Sequence, residues 1–237
     1  MKEIFRTVTR SIAIKLLHGY KGTWNFHART QRSALSAICE GVHDEATFDA
    51  KGKEFAERLK QLCPPGVKAL DVGCGIGRVE KWFAGHCSEL HAVDVSSRML
   101  RYAKSRCRGI ENVYFHLGNG RDLAMFEDAT FGFVFCVYVL QHMEREDVVR
   151  NLAEIRRVLS PGGVAYLQFP NLLHPHNLQA FYEYSQKNTA RGWARMRYYT
   201  PQEVNALLQV VGLQLTREEH EGSDIYVQAR VGSTSQS

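Results

Sequence analysis

Long apolar runs are missing from this chain of 237 residues. No stretch approaches the about 18 consecutive apolar residues that a membrane-spanning helix needs. The first residues also lack a short apolar core followed by a small-residue cleavage site. We therefore expect neither a membrane span nor secretion, and we predict a cytoplasmic protein. A composition that is 44% hydrophobic and 23% charged predicts a single domain with a sizeable buried core.

Paired cysteine motifs are missing as well. The chain has six cysteines, and no two of them form the C-x-x-C spacing that structural zinc sites and redox dithiols use. We expect reduced thiols and no metal site.

Blocks of one charge sign are also missing, since a formal net charge of +5 is spread along the whole chain. One short segment does interleave cations with aromatic rings: Arg191, Trp193, Arg195, Arg197, Tyr198 and Tyr199. Such a segment suits nucleic acid through phosphate contacts and stacking, but it equally suits an acidic small substrate or a solvated surface. The composition leaves all three open.

Three glycines stand at alternate positions in the segment Ala69-Leu-Asp-Val-Gly-Cys-Gly-Ile-Gly-Arg78, directly after an apolar strand. Glycine is used where the backbone needs a positive φ or a close approach to a ligand. Apolar residues then recur at helical spacing from Ile76 to Phe83, which predicts a helix that begins at the turn and points its amides into a site. Dinucleotide sites use G-x-G-x-x-G, and here the third glycine comes one residue early, which disfavours a dehydrogenase.

The rest of the chain alternates strands and helices. We predict strands at residues 68–72, 90–94, 113–117, 130–138, 164–169, 213–217 and 224–229. Helices are predicted at 1–17, 27–39, 48–62 and 144–159, with a further helix capped by Thr200. Residues 19–24, with two glycines flanking aromatic rings, should break the first helix as either a mobile lid or a static loop.

This order predicts an α/β fold: a Rossmann-like, doubly wound and mostly parallel seven-stranded sheet with an antiparallel C-terminal strand, plus N-terminal helices. We expect residues 1–46 to form an N-terminal helical extension or lid, and residues 47–230 to form the main domain. That domain would carry a substrate-side insertion at about 170–199, and residues 231–237 would be a disordered tail.

Four segments within residues 68–169 resemble those of the class I S-adenosylmethionine-dependent methyltransferases. Asp71-Val-Gly-Cys-Gly-Ile-Gly77 is similar to motif I of that family, and Asp94-Val-Ser-Ser-Arg-Met-Leu100 is similar to its acidic motif. Residues 130–134 resemble the S-F-D-x-V strand, although Gly132 replaces the usual Asp. Residues 157–164 resemble the R-x-L-x-P-G-G segment before the fifth strand.

The resemblance implies S-adenosyl-L-methionine as cofactor, with S-adenosyl-L-homocysteine as product. It places Asp94 at the two ribose hydroxyls and Met99 against the adenine. Asn119 stands where the family often has an Asp that recognises the adenine amino group, which leaves open whether Asn119 or Asp122 makes this contact. The implied cofactor residues are Asp71, Gly73, Cys74, Gly75, Gly77, Asp94, Val95, Met99, Asn119, Gly120, Arg121, Cys136 and Tyr138.

The predicted reaction moves a methyl group to an O or N atom of a small-molecule acceptor. A hydroxyl acceptor needs a general base, and histidine suits that task near neutral pH. We select His142, just past the fourth strand, and next His174, with His176 beside it; His142 could instead line the cofactor or cap the following helix. The acceptor pocket should be roofed by residues 19–24 and 174–199.

Two other readings of the resemblance stay open: an RNA- or protein-modifying methyltransferase, and a cofactor-binding partner protein without activity of its own. Neither an appended nucleic-acid-binding domain nor an N-P-P-Y-like motif is present. We therefore expect a small-molecule partner rather than nucleic acid. The oligomeric state, monomer or homodimer, is left open.

Overall fold

The computed structural model describes residues 19–39, 41–187 and 195–232. Its strands are β1 (Lys68–Val72), β2 (Glu89–Asp94), β3 (Val113–Leu117), β4 (Phe131–Cys136), β5 (Leu159–Pro170), β6 (Leu213–Glu221) and β7 (Asp224–Val231). Its helices are α1 (residues 19–27), α2 (Gln31–Ile38), α3 (Glu45–Leu62), α4 (Glu80–Phe83), α5 (Ser97–Arg106), α6 (Arg145–Val158), α7 (Pro175–Ser185) and α8 (Pro201–Val210). Single 3-10 turns lie at Ala84–His86 and Leu140–His142.

The strands form one sheet in the order β3-β2-β1-β4-β5-β7-β6. All pairs from β3 to β5 are parallel, whereas β7 runs antiparallel to both β5 and β6. The predicted Rossmann-like fold with an antiparallel C-terminal strand is therefore confirmed.

The sheet has a core on each face because its central strand is apolar throughout. On β4, Phe133 and Phe135 pack with α3 and α4, while Val134 and Cys136 pack with α6 and α8. A parallel strand covered by helices on both sides shows such a continuous apolar run.

The carboxyl ends of the parallel strands meet at one edge of the sheet. The register pairs Val72 with Val93, and Pro170 with Asp224, the first residue of β7. Ligands of open α/β sheets bind at this edge, so the ends of β1, β2, β4 and β5 and the β6–β7 hairpin are the places to look for a site.

The N-terminal helices differ from the prediction. Residues 19–24 do not break a helix, because α1 continues from residue 19 to residue 27. The break lies at residues 28–30 instead, where Thr30 and Ser33 form a capping box that starts α2. Gly22 costs this helix about 1 kcal/mol relative to Ala, and the hydrogen bonds of Tyr20 and Asn25 to the main domain hold the helix in place.

Two boundaries near the glycines also differ. The helix expected at Ile76 begins only at Glu80 and has four residues, so no long helix aims its dipole at the turn. The helix predicted to reach Leu159 ends at Val158, and Leu159 already pairs with Phe131 in β5. The Ser-Pro-Gly-Gly segment that follows lies within a register shift of the β4–β5 pair rather than in a separate loop.

Within the described ranges, no helix is long and apolar enough to cross a membrane, and no group of three or more His, Cys, Asp or Glu side chains could hold a metal ion. The predicted helix at residues 1–17 lies outside the described residues. So does the predicted tail from residue 233 onward, and β7 itself extends to Val231.

Candidate functional site

The three glycines after β1 all adopt the left-handed backbone conformation that glycine permits. Their φ angles are +94° at Gly73, +56° at Gly75 and +78° at Gly77. The amides of Gly73 and Cys74 both donate to the carbonyl oxygen of Val93, at 2.8 and 3.0 Å. The turn is thereby fixed to the end of β2, the strand that presents Asp94.

Asp94 is oriented by two backbone amides. One carboxylate oxygen accepts the N–H of Gly75 at 2.9 Å, and the other accepts the N–H of Ser96 at 2.7 Å. Burial raises the pKa of Asp94 to about 6, although both amide hydrogen bonds oppose this shift. Each oxygen keeps a second lone pair, so the carboxylate can still accept hydrogen bonds from a ligand.

Two cavities lie at this edge of the sheet. The first is mostly apolar and is lined by Val72, Val93, Val95, Met99, Leu123 and Met143, with Asp94, Asp122 and Asn151 as polar groups. The second is wider and more polar, and Asp71, Arg78, Gln141, His176, Asn177 and Asp224 contribute to it. Trp24, Ile38, Gly73, Tyr138 and His142 line both cavities and form their shared wall.

The structure brings many of the predicted cofactor residues to these cavities. Those lining the first are Gly73, Asp94, Val95, Met99, Gly120 and Tyr138, and those lining the second include Asp71 and Cys74. Gly75, Gly77, Asn119, Arg121 and Cys136 line neither cavity. Among these, Gly75 holds Asp94, Gly77 packs against Ala103 of α5, and Cys136 is buried in the core.

The structure separates Asn119 from Asp122. The side-chain oxygen of Asn119 accepts the amides of Arg121 and Asp122, which makes Asn119 a turn residue. Asp122, in contrast, lines the first cavity and is held by the side-chain amide of Asn119 at 2.8 Å.

The predicted histidines are also placed differently from one another. His142 ends the 3-10 turn after β4, and its ring meets the face of Trp24 edge-on with centroids 5.0 Å apart. His176 lines the second cavity. His174 caps the N-terminus of α7, where its side chain accepts the amide of His176, and it lines neither cavity.

Two side chains attach helix α1 to the rest of the domain, one near each end of the helix. The Tyr20 hydroxyl donates to Asp147 and accepts the amide of Glu144, both at 2.8 Å. Asn25 accepts hydrogen bonds from the Ser96 hydroxyl and the Arg98 amide. Tyr20 and Trp24 line the first cavity, and Trp24 also lines the second, from a helix rather than the expected loop.

Asp71 and Glu80 form a buried carboxyl pair that the sequence analysis missed. Glu80 is fully buried, and Asp71 is 6% exposed. Burial, and next the neighbouring Glu80, raise the pKa of Asp71 well above its ordinary range, and burial raises the pKa of Glu80. Two neighbouring buried carboxyls disfavour a negative charge on both, so the pair favours binding of a proton.

Arg78 was also missed, although it directly follows the last glycine. Its guanidinium lies over the rings of Phe55 and Tyr138, 5.5 and 5.6 Å from their centroids, and it lines the second cavity together with Asp71. A lone cation within an apolar helical pattern was the signal available in the sequence.

The basic and aromatic segment is partly structural. Arg195 and Arg197 both pair with Glu144, at 3.1 and 2.5 Å, and Arg197 is only 5% exposed. These two arginines therefore fix the chain near α6 rather than presenting a solvated surface. Arg191 and Trp193 lie outside the described residues.

Comparison with known proteins gives a consistent result. The model of the methyltransferase domain family matches residues 70–167. The uncharacterized methyltransferase YcgJ of Bacillus subtilis is 31% identical over 56% of this chain and 53% of its own. The C-methyltransferase UbiE of ubiquinone and menaquinone biosynthesis from Burkholderia multivorans is 35% identical over 47% of this chain and 46% of its own. The chain thus spans about half the length of these curated relatives.

Solved structures agree on the fold. Magnesium protoporphyrin IX methyltransferase from Synechocystis, with bound S-adenosylhomocysteine, superimposes with a TM-score of 0.66 at 15% identity, covering 96% of this chain and 100% of the other. The matched domain, the relatives and this fold agree with the glycine turn and the oriented carboxylate at the end of β2. Residues 70–167 therefore match a methyltransferase domain, and the fold is the one seen in S-adenosylmethionine-dependent methyltransferases.

Proposed function

We propose that the protein transfers the methyl group of S-adenosylmethionine to an O or N atom of a small-molecule acceptor. The observation that supports this most directly is the wall of Trp24, Ile38, Gly73, Tyr138 and His142 shared by the two cavities. A cofactor in one cavity and an acceptor in the other would meet across that wall.

The residues of the first cavity fit the adenosine part of the cofactor. Asp94 accepts the ribose hydroxyls, while Val95 and Met99 supply apolar surface for the adenine. Asp122 is the better placed acceptor for the adenine amino group, since Asn119 is used in its turn. The loop packs closely against Val95 at Gly120, where an added Cβ would lie 2.9 Å from the Val95 side chain.

The amino-acid part of the cofactor would enter the second cavity past Gly73. It carries an ammonium and a carboxylate, and the second cavity offers charged groups of the opposite sign for both. The Asp71–Glu80 pair provides a negative charge for the ammonium, and Arg78 provides a cation for the carboxylate.

When bound, the cofactor supplies an electrophilic methyl group on sulfur. An acceptor lone pair forms the new bond in line with the C–S bond, whose electrons leave on sulfur. The protein contributes positioning and the exclusion of water, which account for much of the rate of such a displacement. Trp24, Tyr138 and His142 surround the point of transfer, and His142 would take the proton of a hydroxyl acceptor.

We also propose that residues 1–46 act as an extension that covers the cofactor, since α1 lines the first cavity. Carbon acceptors are a second candidate because one relative is named as a quinone C-methyltransferase. The polar lining of the second cavity favours a polar acceptor over a quinone ring.

The test is direct. The protein is incubated with isotopically labelled S-adenosylmethionine and metabolite fractions, and the labelled product is identified by mass spectrometry. A labelled O- or N-methyl group on a small molecule supports the proposal. Label on carbon supports the second candidate, label only in RNA or protein supports a macromolecule-modifying enzyme, and absence of S-adenosylhomocysteine binding contradicts the proposal outright.

Gly75→Val should abolish the thermal stabilisation that S-adenosylhomocysteine gives. A Cβ at Gly75 would lie 2.5 Å from the Ile38 side chain, so valine would push Ile38 out of the shared wall and strain a backbone at φ +56°. The measurement is the melting temperature with and without ligand.

Gly66→Val is the matched control for this variant. Gly66 has a similar φ of +75° but no atom within 4 Å of the added Cβ, and it lies at the opposite edge of the sheet. The control should lose stability and keep the ligand shift. A normal ligand shift in Gly75→Val would show that this turn and Ile38 do not shape the ligand site.

A further inference from the structure

The second cavity contains a carboxylate that is held in place without being neutralised. Asp224, at the start of β7, accepts a hydrogen bond of 2.8 Å from the side-chain amide of Gln168. Among the described residues no Lys, Arg or His forms an ion pair with Asp224. The charged groups facing it are Glu221 and His174, and burial raises its pKa.

The position of Asp224 is fixed by a chain of hydrogen bonds to the shared wall. Gln168 is fully buried on β5, and its side-chain oxygen accepts the amide of Tyr138 at 2.8 Å. Tyr138 has a φ of +62°, a conformation that non-glycine residues rarely adopt and that clusters at functional sites. Gln168 therefore hydrogen-bonds both to the strained backbone of Tyr138 at the shared wall and to the Asp224 carboxylate, which it orients.

Gln141 lines the same cavity and lies next to the shared wall. Gln141 is 7% exposed, and its side-chain nitrogen faces Nε2 of His142 at 3.3 Å. Its side-chain oxygen is buried without any hydrogen-bond partner in the described structure. This oxygen has almost no exposed surface, so a ligand in the cavity meets Asp224 rather than the Gln141 oxygen.

The cations of this cavity are largely committed elsewhere. Arg58 pairs with Glu219 and Glu221, and Arg78 lies between Phe55 and Tyr138 beside the Asp71–Glu80 pair. Lys51 is exposed at the rim. Asp224 is therefore a carboxylate of this cavity to which no arginine or lysine of the described residues is paired.

From this oriented carboxylate we infer that the methyl acceptor is a small molecule bearing a primary or secondary amine, whose ammonium form is anchored by Asp224. This inference rests on the proposed function and names its substrate class. The anchored ammonium has no lone pair, so it is not the atom that receives the methyl group. That atom lies toward Tyr138 and His142, at the wall.

The experiment uses the full chain saturated with S-adenosylhomocysteine, so that the cofactor's own ammonium position is filled. Three probes share a phenol ring and differ in the charge of the side chain: tyramine, tyrosol and 3-(4-hydroxyphenyl)propanoate. Calorimetric titration should show tyramine binding about tenfold or more tighter than the other two, since hydrogen bonds to charged groups are the stronger ones.

Asp224→Asn keeps the oxygen that Gln168 contacts and removes the charge. It should lower tyramine affinity to the level of tyrosol and leave S-adenosylhomocysteine affinity unchanged. Glu218→Gln is the matched control: it removes a charge from the same hairpin, but one that pairs with His220 and lines neither cavity, and it should keep the preference for tyramine.

The inference is overturned if the wild-type protein binds no probe at 10 mM, the concentration chosen for the assay, or if it shows no preference or prefers the carboxylate probe. It is also overturned if the Asp224→Asn variant still prefers tyramine. Failure of the proposed function is seen separately, as absence of S-adenosylhomocysteine binding to the wild-type chain. In that case the three probes are titrated without it, and a tyramine preference removed by Asp224→Asn still supports an amine site.

Discussion

Replacing Asp94 with Ala should weaken binding of S-adenosylhomocysteine by about 100-fold or more without unfolding the chain. The carboxylate is held by the amides of Gly75 and Ser96 and lines the first cavity. Two ribose hydroxyls donating to it would form charge-assisted hydrogen bonds of ~1.5–3 kcal/mol each, and 1.4 kcal/mol is a factor of ten in affinity. Calorimetric titration measures the change, and circular dichroism checks the fold.

Asp128→Ala is the control for Asp94→Ala. It deletes a carboxylate that pairs with Arg157 before β4 and lines neither cavity. Its ligand affinity should equal that of the wild type. An Asp94→Ala variant that is folded and binds normally would remove Asp94 from the site.

The pH dependence of wild-type binding gives a second readout of Asp94. Its pKa of about 6 in the folded chain lies above the ordinary value of 3.8. Its contribution to folding stability is therefore complete below about pH 4 and is lost as the pH rises through about 6. Ligand affinity should change in the opposite direction and rise over that pH range, since the ionised carboxylate accepts the ribose hydrogen bonds. Asp94→Ala should lack this component.

His142→Gln should lower the turnover number by about 100-fold or more with a hydroxyl acceptor, while cofactor affinity changes little. Glutamine keeps a hydrogen-bonding group at the shared wall but cannot take up a proton. A neutral amine acceptor attacks without a base, so its turnover should change much less. Steady-state kinetics with both acceptor types separates the two cases.

His220→Gln is the matched control, because His220 pairs with Glu218 on β6 and lines neither cavity. Its turnover should be close to that of the wild type. Normal turnover in His142→Gln would exclude His142 as the base. Equal losses in His174→Gln and His176→Gln would move the assignment to the segment after β5.

The sheet could be predicted from the sequence because its signals are local. β1 and β3 have the predicted bounds, and Thr200 and Pro201 start α8 as expected. Each of these features depends on residues only a few positions apart, such as an apolar run ended by glycine or a capping side chain three residues before the amide it accepts.

The parts that could not be predicted depend on contacts between distant residues. Tyr20 and Asp147, which hold α1 in place, are 127 positions apart, so the glycines of residues 19–24 suggested a loop. His142 and His174 both follow parallel strands, and only the folded chain shows that His174 is used as a helix cap. The Asp71–Glu80 pair likewise depends on a turn whose helix starts later than the periodicity indicated.

The wall shared by the two cavities makes the two ligands thermodynamically linked. Any rearrangement of Trp24, Tyr138 or His142 that cofactor binding stabilises is one that the acceptor no longer has to induce. By reciprocity, the factor by which the cofactor raises acceptor affinity equals the factor by which the acceptor raises cofactor affinity. Measuring the affinity of each ligand with the other present and absent would give this coupling free energy.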